Sequence, residues 1–278
     1  VSGHWRRKMK DILTIVTPSC PVVIDYGARL AARHKARFTA FLQQPEVDVV
    51  GIALHAGGTV LDEQITQERE AASERCHAEV AAMVSPWTDN FRWVAAAGTH
   101  HEMMHRGRLA DLVLIGQSSG AGMASAHKTV AELLTEAGRP VMVVPADSDP
   151  ARGQNNVLIS WNGSAPATRA IHDALPILVG AETVTILLVS ASRPEPGSVP
   201  GELLVDHLRQ YGIEAKVRVV QDDMRRGIDG VILGEATETG ADLIVMGAFG
   251  GPRLRDALLG GVTSAVLKQS PVPLLLAC

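Results

Sequence analysis

Two stretches of this chain read almost alike. Residues 110–116 are ADLVLIG and residues 241–247 are ADLIVMG. Each is followed by a second apolar run, RPVMVV at 139–144 and VPLLLA at 272–277. Runs this short, bounded by Gly or Pro, cannot make a globular helix. They have the pattern of strands buried on both faces. A repeat this long is a whole folding unit and not a solenoid turn. The chain therefore reads as two tandem copies of one α/β unit. Residues 1–147 form the first and 154–278 the second. Between them, residues 148–154 (SDPARGQ) are polar with Pro and Gly, the composition of a linker.

Hydrophobic period and turn residues fill in each copy. In the first, strands are expected over 10–17, 37–42, 91–96, 112–116 and 141–144. Helices are expected over 22–34, 61–83, 99–105 and 124–136, with Gly138 as a C-cap. In the second, strands fall at 156–161, 183–190, 215–220, 243–246 and 274–276. Its helices fall at 165–178, 201–211, 228–239 and 262–269, the first capped by Ser164. Residues 43–58 show no clear period, and 193–200 are rich in Pro. Strands alternating with helices require a parallel sheet covered on both faces.

Composition agrees with that class and excludes others. A hydrophobic fraction of 46% is ample for a core, and aromatics are only 4%. The net charge of −4 gives no basic footprint for nucleic acid or an anionic membrane. The longest apolar runs fall short of the ~20 residues a membrane helix needs. The basic stretch before Met9 is not followed by a signal-peptide apolar region. Cys20, Cys76 and Cys278 are scattered, with neither zinc spacing nor a pairing pattern. A cytoplasmic setting is expected.

The second copy carries the chemistry. After the 243–246 strand come Gly247 and Gly250, then Gly260 and Gly261, and Val262-Thr263 open a helix. Glycines let backbone approach a ligand closely, and free N–H groups at a helix start favour an anion, most often phosphate.

These residues resemble the nucleotide loop of the universal stress protein family, G-x-x-G, nine residues, then G-[ST]. Gly247, Gly250 and Gly260 fall on the three glycines. Gly261 stands where ATP-binding members carry a hydroxyl. With ADLIVMG before the loop and PVPLLL after it, the resemblance covers nearly the whole chain as two fused copies. It implies two five-stranded parallel-sheet α/β domains of the adenine-nucleotide alpha-hydrolase-like, Rossmann-like class. They would pair as an intramolecular pseudo-dimer through residues 141–144 and 274–276. It also implies a site for ATP or another adenine nucleotide, with Mg as a candidate companion. Asn162 occupies the place of an Asp that contacts the nucleoside, and Val189 the place against adenine. Gly247, Gly250, Gly260, Gly261, Val262 and Thr263 would wrap the phosphates.

The first copy departs from that pattern. Gln117-Ser118-Ser119-Gly120 follow Gly116, and the loop is two residues shorter. His127 and Lys128 stand where the second copy has Gly260 and Gly261, and Thr17 stands in the place of the Asp. This copy is expected to be structural or partner-facing and not to bind nucleotide.

Other features read as bland. His101-Glu102-Met103-Met104-His105 matches H-E-x-x-H, but Arg106-Gly107-Arg108 is expected to end the helix at once, and no third ligand follows. Asp222 and Asp223 at the same sheet end are read as solvated, and Arg253 and Arg255 in the loop either add charge to the site or are solvated. Cys20 is expected to be inert and Trp161 to pack in the core. No nucleophile–base pair converges on the loop, so turnover is limited to slow ATP hydrolysis at most. The resemblance thus implies a stress-response sensor or regulator that binds adenine nucleotide. The alternative is a nucleotide-free scaffold acting through protein partners. Either would be a monomeric pseudo-dimer or a homodimer of tandem chains.

Overall fold

The computed structural model describes residues 8–16, 20–43, 59–96, 100–118, 123–190, 201–221, 226–249 and 260–278. Thr17, Asp222, Asp223, Gly250, Arg253, Arg255 and the Pro-rich 193–200 lie outside the described residues. The first half runs β1 (Asp11–Val16), α1 (Val22–His34), β2 (Arg37–Gln43), α2 (Thr59–Val84), β3 (Phe91–Ala96), α3 (His100–Leu109), β4 (Leu112–Gly116), α4 (Met123–Glu132), a π-turn (Leu133–Ala137) and β5 (Val141–Val144). The second runs β6 (Asn156–Ser160), α5 (Ala165–Leu178), β7 (Thr183–Ser190), α6 (Gly201–Arg209), β8 (Ala215–Gln221), α7 (Gly227–Glu238), β9 (Leu243–Gly247), α8 (Gly261–Gln269) and β10 (Leu274–Ala277).

The strands form one ten-stranded sheet in the order β3-β2-β1-β4-β5-β10-β9-β6-β7-β8. Pairing within each half is parallel. The halves meet antiparallel, with Leu274 opposite Val143, Leu275 opposite Met142 and Leu276 opposite Val141. The two expected five-stranded sheets are thus joined edge to edge through the strands the sequence singled out. All four residues of each seam strand are buried. Left unpaired, these apolar edges would template aggregation. Alternation along the strands sends Met142, Val144, Leu275 and Ala277 into one helix-covered layer. Val141, Val143, Leu274 and Leu276 enter the other. Both cores therefore cross the seam.

The repeated Ala-Asp has a structural cause. Asp111 accepts from the backbone N–H of Lys10 (2.7 Å) and of Asp11 (3.1 Å). Asp242 does the same for Asn155 (2.9 Å) and Asn156 (3.0 Å). Each carboxylate holds the start of the strand beside its own and so fixes the register of β1 on β4 and of β6 on β9. Burial pushes the Asp242 carboxyl up, and the two backbone donors oppose that shift.

The connection between the halves is anchored and does not act as a flexible spacer. Gln154 is buried; its amide donates to the Tyr26 hydroxyl (2.7 Å) and its oxygen accepts from Arg33 (3.1 Å). Gly153 has φ 74°, and a Cβ there would lie 2.3 Å from the Arg33 guanidinium.

Two helix expectations need correction. The helix at His100 does not stop at His105 but continues to Leu109. Gly107 breaks nothing because it is buried under the π-turn, where an added Cβ would lie 3.2 Å from that of Ala137. Packing outweighs its poor intrinsic propensity of about 1 kcal/mol. The helix expected over 124–136 divides into α4 and the π-turn before Gly138, whose φ of 64° closes it as anticipated.

Removing the Asp242 carboxylate leaves two backbone donors unsatisfied at a half-buried strand start. Asp242→Ala is expected to cost about 2–4 kcal/mol by urea denaturation. The exposed Asp147→Ala should stay within about 0.5 kcal/mol. Equal, small effects would show that the carboxylate does not hold β6.

Candidate functional site

In the second half the chain leaves β6 toward β7, while the crossover after β8 returns to the far side of β6 at β9. The carboxyl ends of β6 and β9 therefore flank a topological switch point, where open parallel sheets leave a crevice. A cleft of about 280 Å³ lies there. Its floor is Ser160, Trp161 and Asn162 after β6, with Met246 and Gly247 from β9. Val189 of β7, Ile228 and Ile232 of α7, and Gly260, Gly261, Val262 and Thr263 at the start of α8 complete the lining. Seven of the eight residues singled out from sequence are thus gathered in one cavity. The eighth, Gly250, lies outside the described residues.

The glycines are not equivalent. At Gly247 an added Cβ would lie 2.4 Å from the backbone nitrogen of Ala167 and 2.7 Å from the carbonyl carbon of Pro166. The start of α5 rests on it, so this glycine is required for packing. Gly260 has φ −56° and ψ 154°, an extended backbone open to any residue. A Cβ at Gly260 or Gly261 meets nothing within 4 Å among the described residues. Neither strain nor crowding asks for glycine there. What their absence of side chain does is leave bare backbone facing the cleft. Gly260 supplies no capping side chain to α8. The first N–H groups of a helix lack intrahelical partners, so those of Gly261, Val262 and Thr263 are open to an anion.

Much of the remaining lining is apolar. Trp161 and Met246 are buried, Ile232 is buried, and Ile228 is 41% exposed. No charged side chain lines the cleft among the described residues. Thr263 is 95% buried, and the edge it leaves open borders the cleft. Asn162 is committed in part to local structure. Its side-chain oxygen accepts from the Ser164 hydroxyl (2.7 Å) and backbone N–H (3.1 Å). Ser164 in turn caps α5 by accepting from Ala167 (3.3 Å), as its sequence position suggests. The Asn162 amide nitrogen is therefore the group left for a ligand.

The corresponding place in the first half is closed. Gln117 donates its backbone N–H to Val144 (2.7 Å), as Ala248 does to Ala277 (2.8 Å). Its side chain then crosses the seam and donates to the Leu267 carbonyl at 2.7 Å, in the last turn of α8. Only a void of about 10 Å³ remains, bordered by Gln117, His127 and Leu267. That is room for about one water. Burial and the Lys268 ammonium hold His127 below the usual imidazole range.

Among the described residues, Cys20 and the His101–His105 segment do not line the cleft. Cys20 is fully buried, its thiol pushed up by burial and donating weakly to the Val144 carbonyl. In the H-E-x-x-H match, the His101 and His105 rings lie 4.1 Å apart and tilted at 46° on an exposed face, and Glu102 pairs with Arg106 at 2.6 Å. The sequence reading did not include Ile228 and Ile232 in the site. Their i, i+4 spacing places them on one face of α7, a signal that was present without indicating what that face borders.

Fold and cleft together define a doubly wound, Rossmann-like α/β protein built from two like halves. Residues 155–277 match the model of the universal stress protein family. Solved structures extend the likeness to the fold of both halves. A universal stress protein from Archaeoglobus fulgidus superposes with a TM-score of 0.71 at 16% identity, covering 96% of each chain. A putative universal stress protein from Pseudomonas aeruginosa gives 0.57 at 14%, covering 97% of this chain and 93% of that one. The cytoplasmic domain of a prokaryotic cation chloride cotransporter gives 0.58 at 7%, with 96% and 95% covered. No curated protein sequence matches the chain. Among the described residues, no helix is long and apolar enough to cross a membrane.

Stability separates the two kinds of glycine. Gly247→Ala should destabilise by about 1–3 kcal/mol through overpacking against α5. Gly260→Ala should stay within about 0.5 kcal/mol. A large loss at Gly260 by thermal or urea melting would mean that this glycine is structural after all.

Proposed function

We propose that this chain is a stress-response regulator that binds ATP or another adenine nucleotide, one per chain, in the cleft of its second half. The observation that carries this reading is the uncapped start of α8. It faces an apolar slot with glycines that the described fold does not require. A purine would lie between Trp161, Val189 and the Ile228–Ile232 face of α7. Phosphates would take the N–H groups of Gly261, Val262 and Thr263, with Mg accompanying them. The missing hydroxyl at 261 forgoes one hydrogen bond to a charged group, about 1.5–3 kcal/mol. The Thr263 hydroxyl offsets part of that.

No described lining residue is a carboxylate, imidazole or amine. On this reading the site holds nucleotide, and any hydrolysis is slow. The first half, closed by Gln117, serves as a structural or partner-facing copy. Three free thiols fit a cytoplasmic setting. The second reading, a nucleotide-free scaffold, draws on Gly261 and on the Asn162 oxygen turned into the Ser164 turn.

Calorimetry with ATP and magnesium separates the two. Micromolar binding is expected, about −8 kcal/mol. Gly260→Asp should abolish it, because the new carboxylate would cap α8 itself and repel phosphate, while leaving the fold intact. Gly261→Ser should tighten binding about tenfold. A native chain that gives neither heat nor a thermal shift would leave the scaffold reading.

A further inference from the structure

We propose that His100, Glu132 and Glu136 form a binding site for zinc or a similar divalent transition-metal ion on the first half, apart from the cleft. His100 opens α3, Glu132 closes α4, and Glu136 lies in the π-turn. His100 Nδ1 is 3.5 Å from a Glu132 carboxylate oxygen, and Nε2 is 3.5 Å from one of Glu136. One ligand atom from each residue lies within 4.8 Å of the other two. Tetrahedral zinc with bonds of about 2.0–2.1 Å sets its ligand atoms about 3.3 Å apart. Small side-chain rotations close the set onto one ion, which one imidazole nitrogen ligates. An imidazole with two carboxylates selects zinc, nickel or copper over the oxygen-preferring magnesium and calcium.

The ligands stand on packed elements and not on loops. α3 is held against the π-turn through Gly107, through Arg108 donating to the Glu136 carbonyl (3.2 Å), and through Arg139 donating to the Arg108 carbonyl (2.9 Å). The π-turn widens the helix where Glu136 projects, a distortion that recurs at functional sites. His100 is 46% exposed and Glu136 50%, so an ion has a path in and water can take the fourth position. Lys128 reaches Glu132 at 3.6 Å but is 77% exposed, so it competes weakly. The neighbouring His101–His105 pair points a second imidazole couple elsewhere on α3, and it must be separated in any test.

The test is zinc titration of the full chain against a chromophoric chelator, with cobalt as a spectroscopic substitute. One zinc per chain should bind at micromolar concentration, and cobalt should give the intense visible bands of a tetrahedral site. His100→Ala and Glu136→Gln should each weaken zinc roughly tenfold or more. The double variant His101→Ala/His105→Ala should bind as the native chain does. All these side chains are exposed or half-exposed, and circular dichroism checks that each variant is folded. No zinc at micromolar concentration, or binding that tracks His101 and His105 and survives His100→Ala, would overturn the proposal. Neither outcome bears on the nucleotide reading, because the two sites share no residue.

Discussion

The antiparallel pairing of β5 with β10 is the contact on which the rest of this structure depends. Each is a wholly apolar strand at what would otherwise be the edge of its half. Joined, they turn two small sheets into one and make both helix layers continuous across the junction. Side chains reinforce it: Gln117 reaches the end of α8, and the Cys278 thiol donates to the Leu134 carbonyl at 2.9 Å. The anchored connection at Gln154 fixes the second half on α1 from the other side. Burying apolar strand edges contributes on the order of 25 cal/mol per Å² removed from water. It also removes the templates for wrong pairing.

That near-symmetric frame makes the asymmetry of its two ends informative. Both halves end β4 or β9 in glycine and tie the next residue to the seam strand by the same backbone bond. Beyond that point they diverge. In the second half the backbone at Gly260 and Gly261 is bare and a cleft stays open. In the first, His127 stands in that place and Gln117 turns its side chain into the junction. The closed end thereby holds the last turn of the helix whose first turn borders the open cleft. One half has become support for the other.

Much of this was legible in the sequence because it depends on local rules. Short apolar runs gave the strands, the Ser164 cap gave the start of α5, the repeated motif gave the two copies, and the family resemblance implied the pairing of β5 with β10. What was not legible depends on tertiary packing. Gly107 reads as a helix stop until Ala137 is seen above it. Gly247 and Gly260 look alike on paper, yet one is pressed against α5 and the other meets none of the described residues. Asn162 stands in the place of a nucleoside-contacting Asp, but the Ser164 hydroxyl takes its side-chain oxygen. The wall of α7 belongs to the cleft only because the crossover from β8 brings it there.

The claim that one open cleft in the second half holds an adenine nucleotide is tested most directly by photolabelling with 8-azido-ATP and mapping the adduct by mass spectrometry. The account predicts one label per chain, competed by ATP, on peptides carrying Trp161, Val189 or Ile228. Labelling of the first half around Gln117 and His127, or no label above that of the Gly260→Asp variant, would contradict it.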